Sequence, residues 1–273
     1  MRIWDGGERR AAATTAGDSQ MIASDLTWRA EETCLNAWPA LRQALLGGWV
    51  LRFSGGLTRR ANSANSLGVR GADREVPIAG CERLYRYHRL PTIFRVTSIV
   101  GPAIDERLAA QGYSSEGLSI VLYSGLERLQ AVRDPEVRLL ARPTSQWFAA
   151  MAALQHYTKR DAGLYRRIIG RLAIPAAFAS ISDEAGILAL AYGAIHDGLI
   201  CYGSVVTDPS RQRRGYARRI IGSLADWASD QGAWGACLEV EGANIPALAL
   251  YATLGFEELY RYHYRREPCR TGS

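Results

Sequence analysis

A run of small and basic residues, QRRGYAR at positions 212–218, lies between a predicted strand that ends near Thr207 and a predicted amphipathic helix that begins at Gly215. The first turn of a helix leaves several backbone N–H groups without partners, and the helix dipole adds a partial positive charge there. Gly215 and the small Ala217 let the backbone approach a phosphate closely, and the neighbouring arginines add mobile positive charge. The run therefore indicates a pyrophosphate site, although taken alone it fits a basic helix start on a solvated face about as well.

A second pattern, N-x-x-A-x-x-L-Y-x-x-L-G-F from Asn244 to Phe256, follows a predicted strand that contains Leu238–Val240. Together the two runs resemble the GCN5-related N-acetyltransferase (GNAT) family, which uses acetyl-coenzyme A. Residues 212–217 match the family's Q/R-x-x-G-x-G/A motif, with alanine in the last position, and the second run matches its late helix motif. Each motif is moderately specific, whereas both in this order are a strong indication. The resemblance covers residues 136–267, about half of the chain.

The resemblance implies an α/β (α+β) fold: a mixed, mostly antiparallel and splayed central sheet, flanked by helices, with the coenzyme in its cleft. The end of one strand would pair with the pantetheine arm like an added strand. The amides at the helix start would hold the pyrophosphate, and Asn244 would steady the pantetheine arm. The residues expected to bind acetyl-coenzyme A are Val205, Val206, Thr207, Gln212, Arg213, Arg214, Gly215, Tyr216, Ala217, Arg218 and Asn244.

The local likeness is strongest to enzymes that acetylate the N-terminal alanine of a ribosomal protein, which share L-E-V on the strand and N-x-x-A-x-x-L-Y on the helix. In those enzymes the glutamate that matches Glu239 is the base and the tyrosine that matches Tyr251 is the acid. An amine is protonated at neutral pH, so a group must remove a proton before it attacks. Three alternatives stay open: Glu239 lies on a solvated face, Glu241 or a water chain is the base, or Tyr251 is only a core residue.

The elements that must position these residues follow from hydrophobic periodicity. In the second half the sequence predicts four helices, two before a set of three strands and two after it. His156 and Tyr157, between the first two helices, are candidate contacts to the acceptor. The predicted strands are 136–143, 176–183, 185–198, 199–207, 234–242 and 256–267, and the predicted helices are 145–157, 161–172, 215–232 and 245–255.

The first half repeats part of this plan. A strand at 93–100, a helix at 102–113 and a strand at 117–125 echo the strand–helix–strand order that ends the chain, and a helix is expected from Leu26 to about Leu46. No Q-x-x-G-x-G/A motif occurs there. We therefore predict a disordered lead-in (1–24), a smaller, degenerate GNAT-like domain (25–133), a catalytic GNAT domain (134–268) and a tail (269–273). Candidate contacts to an anionic part of the acceptor in the first half are Arg59, Arg60 and Asn62.

Composition excludes several classes of protein. Apolar residues make up 48% of the chain and charged residues 22%, which is typical of a globular protein, and no apolar run approaches the ~20 residues of a membrane span. Five cysteines without a C-x-x-C pair favour reduced thiols in the cytoplasm over a disulfide framework or a metal site. The net charge of +6 suits anionic ligands but does not by itself indicate nucleic acid, which we do not expect as a partner.

These patterns predict an acyltransferase that moves the acetyl group of acetyl-coenzyme A to a primary amine. A small-molecule amine or amino acid is the preferred acceptor, because the additional domain would close the open cleft that peptides need. A protein N-terminal or lysine amine is the alternative acceptor, and a non-catalytic acyl-coenzyme A sensor is the alternative of another class. The sequence gives neither the acceptor's identity nor the oligomeric state.

Overall fold

Short strands and helices alternate along the chain, as its changes of hydrophobic period predict. The structure, a computed structural model, describes residues 16–68, 77–129 and 131–268, and side chains from Asp25 onward. The predicted tail 269–273 lies outside the described residues, as does the predicted lead-in up to residue 15. The described helices are α1 (Ala16–Ala37), α2 (Ile78–Tyr87), α3 (Ala103–Ala110), α4 (Ser145–Leu154), α5 (Lys159–Ile169), α6 (Tyr216–Asp230) and α7 (Ile245–Thr253).

All of the described strands join one sheet in the order β1-β2-β3-β4-β11-β5-β10-β9-β8-β7-β6. Neighbouring strands run antiparallel except β3 with β4 and β9 with β10, which run parallel. The prediction of a mixed, mostly antiparallel sheet flanked by helices is therefore confirmed. The strands are β1 (Arg42–Leu46), β2 (Trp49–Phe53), β3 (Ala64–Ser66), β4 (Ile93–Thr97), β5 (Ser114–Gly125), β6 (Arg138–Leu140), β7 (Ala176–Asp183), β8 (Gly186–His196), β9 (Leu199–Thr207), β10 (Gly235–Glu241) and β11 (Glu257–Arg266).

The two halves of the chain exchange their last strands. Strand β5, which ends the first half, lies between β10 and β11 of the second half, with Val121 opposite Glu239. Strand β11 in turn lies between β5 and β4, with Tyr262 opposite Thr97. The sheet thus runs without interruption across the predicted boundary near residue 133, and the division into two domains there stays a prediction.

Helices cover both faces of the sheet and divide its core. Helix α6 buries Ile220, Ile221, Leu224 and Ala228, which are spaced to form one apolar stripe, in a cluster that also contains residues of α7. Helices α1, α4 and α5 contribute to a second cluster, which holds the alternate residues of β9 and β10. The packing of α6 on the sheet places the N-terminus of this helix beside the end of β9. Among the described residues, no helix is long and apolar enough to cross a membrane.

The expectation of a helix from Leu26 to about Leu46 is wrong at its end. Helix α1 begins at Ala16, within the predicted lead-in, and stops at Ala37, because the residue before a proline disfavours helical geometry and Pro39 follows. Strand β1 then pairs with β2 across Gly47 and Gly48, whose φ angles of 55° and 83° suit a tight hairpin turn. The Gly-Gly pair is therefore a hairpin turn and not a helix end.

Candidate active site

Strands β9 and β10 diverge, and the gap between them is the centre of the candidate site. They pair only where Leu199–Tyr202 face Gly235–Leu238. Beyond this point β9 stays paired with β8 through Val206 and Thr207, and β10 stays paired with β5. None of the described strands therefore pairs with one edge of β9 beyond Tyr202, and such an edge can pair with an extended ligand. Val205, Val206 and Thr207 lie on this edge, as the proposed pantetheine contact requires.

The start of α6 has the backbone geometry of an anion cradle. Gly215 (φ 79°) and Arg213 (φ 62°) are both left-handed, and no side chain caps the helix. The amide of Arg219 donates to the carbonyl of Gly215, so the N–H groups of the first turn before Arg219 have no partner within the helix. A Cβ at Gly215 would meet no atom within 4 Å, which means that open space lies outside the turn. The segment is therefore free to receive an anion.

The arginines of this segment differ in their surroundings. Arg213 and Arg214 are exposed, and neither makes an ion pair with another described residue. The Arg218 guanidinium donates to Oγ1 of Thr253 on α7 at 2.8 Å. Arg219 is instead engaged in the fold, since it pairs with Asp134 at 2.6 Å. Arg213 and Arg214 are therefore the mobile charges available to a phosphate.

Asn244, expected to steady the pantetheine arm, is the N-cap of α7. Its Oδ1 accepts a hydrogen bond from the amide of Ala247 at 3.2 Å. Asparagine is favoured at this position because its side chain satisfies an amide of the first turn. Only the amide nitrogen of Asn244 is thus left for a ligand, and the contact to pantetheine stays a prediction.

Tyr251 is buried on α7, and its ring centre lies 5.8 Å from that of Phe256. Its hydroxyl has no hydrogen-bond partner among the residues that the structure describes. Burial raises the pKa of Tyr251 to about 12, with a smaller contribution from Cys201. The phenol therefore keeps its proton throughout the neutral range, as a proton donor must.

Glu239 lies on β10, one residue beyond the last pair with β9. Only 3% of its side chain is exposed, so the alternative that it lies on a solvated face is wrong. Its Oε2 lies 2.7 Å from Nη1 of Arg60, and its Oε1 lies 3.2 Å from Nη2 of Arg95. Burial acts to raise the pKa of Glu239, but the charges of Arg60, Arg95 and Arg52 and a hydrogen bond from Tyr262 together hold the pKa below its usual value. The other candidate base, Glu241, is 73% exposed.

Asn62, expected to contact the acceptor, instead fixes a loop of the first half. Its Oδ1 accepts from the amides of Ser54 (2.7 Å) and Gly56 (3.0 Å), and its Nδ2 donates to the carbonyl of Thr58 (2.7 Å). The side chain is buried, and these bonds occupy both ends of its amide. The prediction that Asn62 binds the acceptor is therefore wrong. Its role is to shape the segment 54–62, here called the arginine loop.

The arginine loop closes one side of a cavity of about 370 Å³. Arg59 lies between Glu116 and Glu241, with its guanidinium 5.0 Å from the ring centre of Tyr264, and Arg60 lies against Glu239. The loop is thereby brought beside the diverging strands on the face that carries Glu239. The cavity is lined by 56–60, Ser119, Val240, Glu241, Tyr262, Tyr264 and Arg266.

The other two predicted acceptor contacts are not among the residues that line this cavity. His156 is exposed with a φ of 52°, and Tyr157 is half-buried with its ring 5.6 Å from that of Tyr165. A larger cavity of about 880 Å³ lies near the β6 edge of the sheet, between Phe148 and Trp227, and none of the predicted site residues lines it. Of the predicted acceptor contacts, Arg59 and Arg60 line the smaller cavity, and the place where the acceptor binds stays a prediction.

Sequence reasoning named Arg60 but missed the buried groups on the other side of Glu239. Arg95 is 1% exposed, pairs with Glu31 as well as Glu239, and lies 3.7 Å from the ring centre of Tyr262. An arginine in the middle of the apolar strand IFRVT was the available signal, because a buried charge needs a partner. Behind this group the Sγ atoms of three buried cysteines lie within 4.8 Å of one another: Cys34, Cys201 and Cys237. No sequence pattern indicated that these cysteines would meet.

Comparison with known proteins agrees with this geometry. Residues 27–265 match the family model described as "Probable histone acetyltransferase Rv0428c C-terminal". The uncharacterized N-acetyltransferase YobR of Bacillus subtilis is 25% identical over 240 residues, which cover 86% of this chain and 96% of that protein. The [ribosomal protein bS18]-alanine N-acetyltransferase of Salmonella typhimurium is 40% identical over 55 residues, or 20% of this chain and 37% of that protein.

Solved structures share the fold. A GCN5-related N-acetyltransferase from Kribbella flavida superposes with a TM-score of 0.64 at 16% identity, covering 90% of this chain and 96% of that one. A tandem GNAT protein from the clavulanic acid biosynthesis pathway gives 0.63 at 15% identity, covering 96% and 98%. With the family match over most of its length, the diverging strands and the cradle at Gly215, the chain belongs to the GCN5-related N-acetyltransferases and is an acyltransferase of that type.

Proposed function

We propose that the chain transfers the acetyl group of acetyl-coenzyme A to the primary amine of a small molecule, by direct attack in a ternary complex. The observation that carries the proposal is the divergence of β9 from β10 beside the uncapped, left-handed start of α6 at Gly215. A free strand edge suits an amide-containing arm, and free amides at a helix start suit a diphosphate. Acetyl-coenzyme A combines both groups with a reactive thioester.

The chain's own residues fit a transfer through the gap between the strands. Glu239 packs on the face of the sheet that carries α1, whereas Tyr251 packs with α6 and α7 on the other face. Glu239 takes a proton from the acceptor ammonium, directly or through water, and the free amine forms the C–N bond. Tyr251 donates its proton to the sulfur as the C–S bond breaks, and the second proton lost by the nitrogen returns to the phenolate through water. The base and the acid thus approach the acetyl group from opposite sides.

The arginine loop favours a small acceptor over a peptide. It crosses the acceptor face of the sheet, and Nη2 of Arg160 on α5 donates to the carbonyl of Gly55 at 2.6 Å, which ties the loop to the second half. The volume of about 370 Å³ suits a molecule of the size of an amino acid or a short polyamine. Arg59 and Arg266 at its wall favour an acceptor that also carries an anionic group.

Calorimetry and a thiol-release assay test the proposal. We expect acetyl-coenzyme A to bind and to raise thermal stability by roughly 2–4 kcal/mol at saturating concentration. Amino acids, polyamines, aminoglycosides and short peptides are then screened for acceptor-dependent thiol release, with small amines expected to react and peptides not. No heat on adding the donor would overturn the proposal. Binding without release for any amine would favour a sensor, and release with peptides alone would favour the protein acceptor.

A further inference from the structure

We infer that Arg60, from the first half of the chain, is a positioning residue for Glu239 in the second half, so that the arginine loop completes the catalytic site. The inference rests on the proposed function, because it takes Glu239 as the base. It assigns Arg60 a contact with the base, not with the acceptor's anionic group. It also gives the first half, which lacks a coenzyme motif, a direct part in the reaction.

The two oxygens of Glu239 are held by two different arginines. Arg95 holds Oε1, and it is itself fixed on three sides, by Glu31, by Glu239 and by the ring of Tyr262. Arg60 holds Oε2 at 2.7 Å. A carboxylate held at both oxygens keeps one orientation, and only a group that can move away frees an oxygen for a proton. Arg95 cannot move without losing its ion pairs to two buried carboxylates at once.

Arg60 differs from Arg95 in that its backbone is held by hydrogen bonds while its side chain is partly exposed. Its carbonyl accepts a hydrogen bond from the buried Arg52 at 3.1 Å, and Asn62 and Thr58 fix the backbone on either side. Its side chain is 36% exposed and lines the cavity. Arg60 thus lies at the cavity wall, and Glu239, which does not itself line the cavity, lies directly behind it. Arg60 both keeps the carboxylate ionised and must yield Oε2 to the incoming proton.

The surroundings of Glu239 leave Arg60 as the cation that can be removed without opening the core. Arg95 and Arg52 are both buried, and the remaining neighbours are phenols and cysteines, apart from Glu31 behind Arg95. With Arg60 present, the pKa of Glu239 lies below its usual value, against the effect of burial. The groups that face Glu239 are Arg60 on the loop, Arg52 on β2, Arg95 on β4, Tyr192 on β8, Cys201 on β9, Cys237 on β10 and Tyr262 and Tyr264 on β11.

The pH dependence of kcat/KM tests the inference. Because Arg60 lowers the pKa of Glu239, Arg60→Ala should move the acid limb of the profile to higher pH by about one pH unit or more. Arg60→Lys, which keeps the charge, should restore most of that limb. The matched control is Arg59→Ala: the neighbouring arginine pairs with Glu116 and Glu241 but not with Glu239, so the limb should stay in place. An unmoved limb in Arg60→Ala, or an equal movement in Arg59→Ala, would overturn the inference.

A second readout does not depend on turnover. In protein carbon-13-labelled at the glutamate carboxyls, the Glu239 resonance is identified by its loss in Glu239→Gln and is titrated by NMR in wild type, Arg60→Ala and Arg59→Ala. We expect Arg60→Ala alone to raise the titration midpoint. If the midpoint moves but no amine is acetylated, the proposed function fails and the pairing stands. If amines are acetylated and the midpoint does not move, the inference fails alone.

Discussion

At the scale of single residues, the phenol of Tyr251 provides the sharpest test of the chemistry. It is buried against Phe256, has a raised pKa and bonds to no described residue. Tyr251→Phe removes the proton and keeps the ring packing, so we expect turnover to fall by about a hundredfold or more while affinity for acetyl-coenzyme A stays within twofold. Thiol release and calorimetry measure the two effects. Equal rates for both proteins across pH would remove Tyr251 from the acid role.

Gly215 tests the cradle at the same scale. Alanine at a φ of 79° is strained by about 1–2 kcal/mol, and relief of that strain would turn the first amides of α6 away from the ligand. We expect Gly215→Ala to weaken acetyl-coenzyme A binding by about tenfold. Gly232, beyond the other end of α6, has a φ of 80° and the same open space around its Cα. Gly232→Ala should therefore lose similar stability but keep the affinity, and a weaker affinity in both variants would argue against the cradle.

At the scale of elements, the arginine loop should control the acceptor but not the donor. Asn62→Ala leaves the amides of Ser54 and Gly56 without their partner, at a cost of about 1–3 kcal/mol, and loosens the wall of the cavity. We expect the KM of the acceptor to rise severalfold and larger amines to be accepted, with unchanged binding of acetyl-coenzyme A. Steady-state kinetics over an amine series checks this.

Asn65 on β3 is the matched control for that experiment. It is also buried, but among the described residues its Oδ1 has no partner and its Nδ2 bonds only to Ser63, which precedes β3. Asn65→Ala should leave the KM of the acceptor unchanged, however much it lowers the stability of the protein. If both variants change the KM alike, the effect of Asn62 belongs to general destabilisation and not to the loop.

At the scale of the whole molecule, the exchange of β5 and β11 makes the halves interdependent. Without β5, strand β10 loses its partner along Gly235–Glu241 and the core loses Val121 and Leu122. We expect residues 134–273 expressed alone to show no cooperative thermal unfolding, and co-expression with 1–133 to restore it together with acetyl-coenzyme A binding. A fragment 134–273 that unfolds cooperatively and binds the donor would show that the second half is an independent domain.

Much of the local structure follows from the sequence alone. The predicted bounds of β7 and β9 agree with the structure, because apolar alternation and turn residues define a strand within a few residues of itself. The cradle at Gly215 was also predictable, since a left-handed residue before a helix calls for glycine. The helix expected over 26–46 failed because Gly47–Gly48 suits both a helix end and a hairpin turn, and only pairing with β2 decides between them.

The sequence by itself thus determined the family and the class of fold and predicted the place where we propose that a diphosphate binds, because each depends on residues close together in the chain. The tertiary structure alone decided the order of the strands and the surroundings of Glu239. These surroundings join distant parts of the chain. Arg60 lies on a loop of the first half, Arg95 on a strand of the first half and Glu239 on a strand of the second half. No local spacing connects them, and they meet because β5 and β11 exchange places and bring the two halves into one sheet.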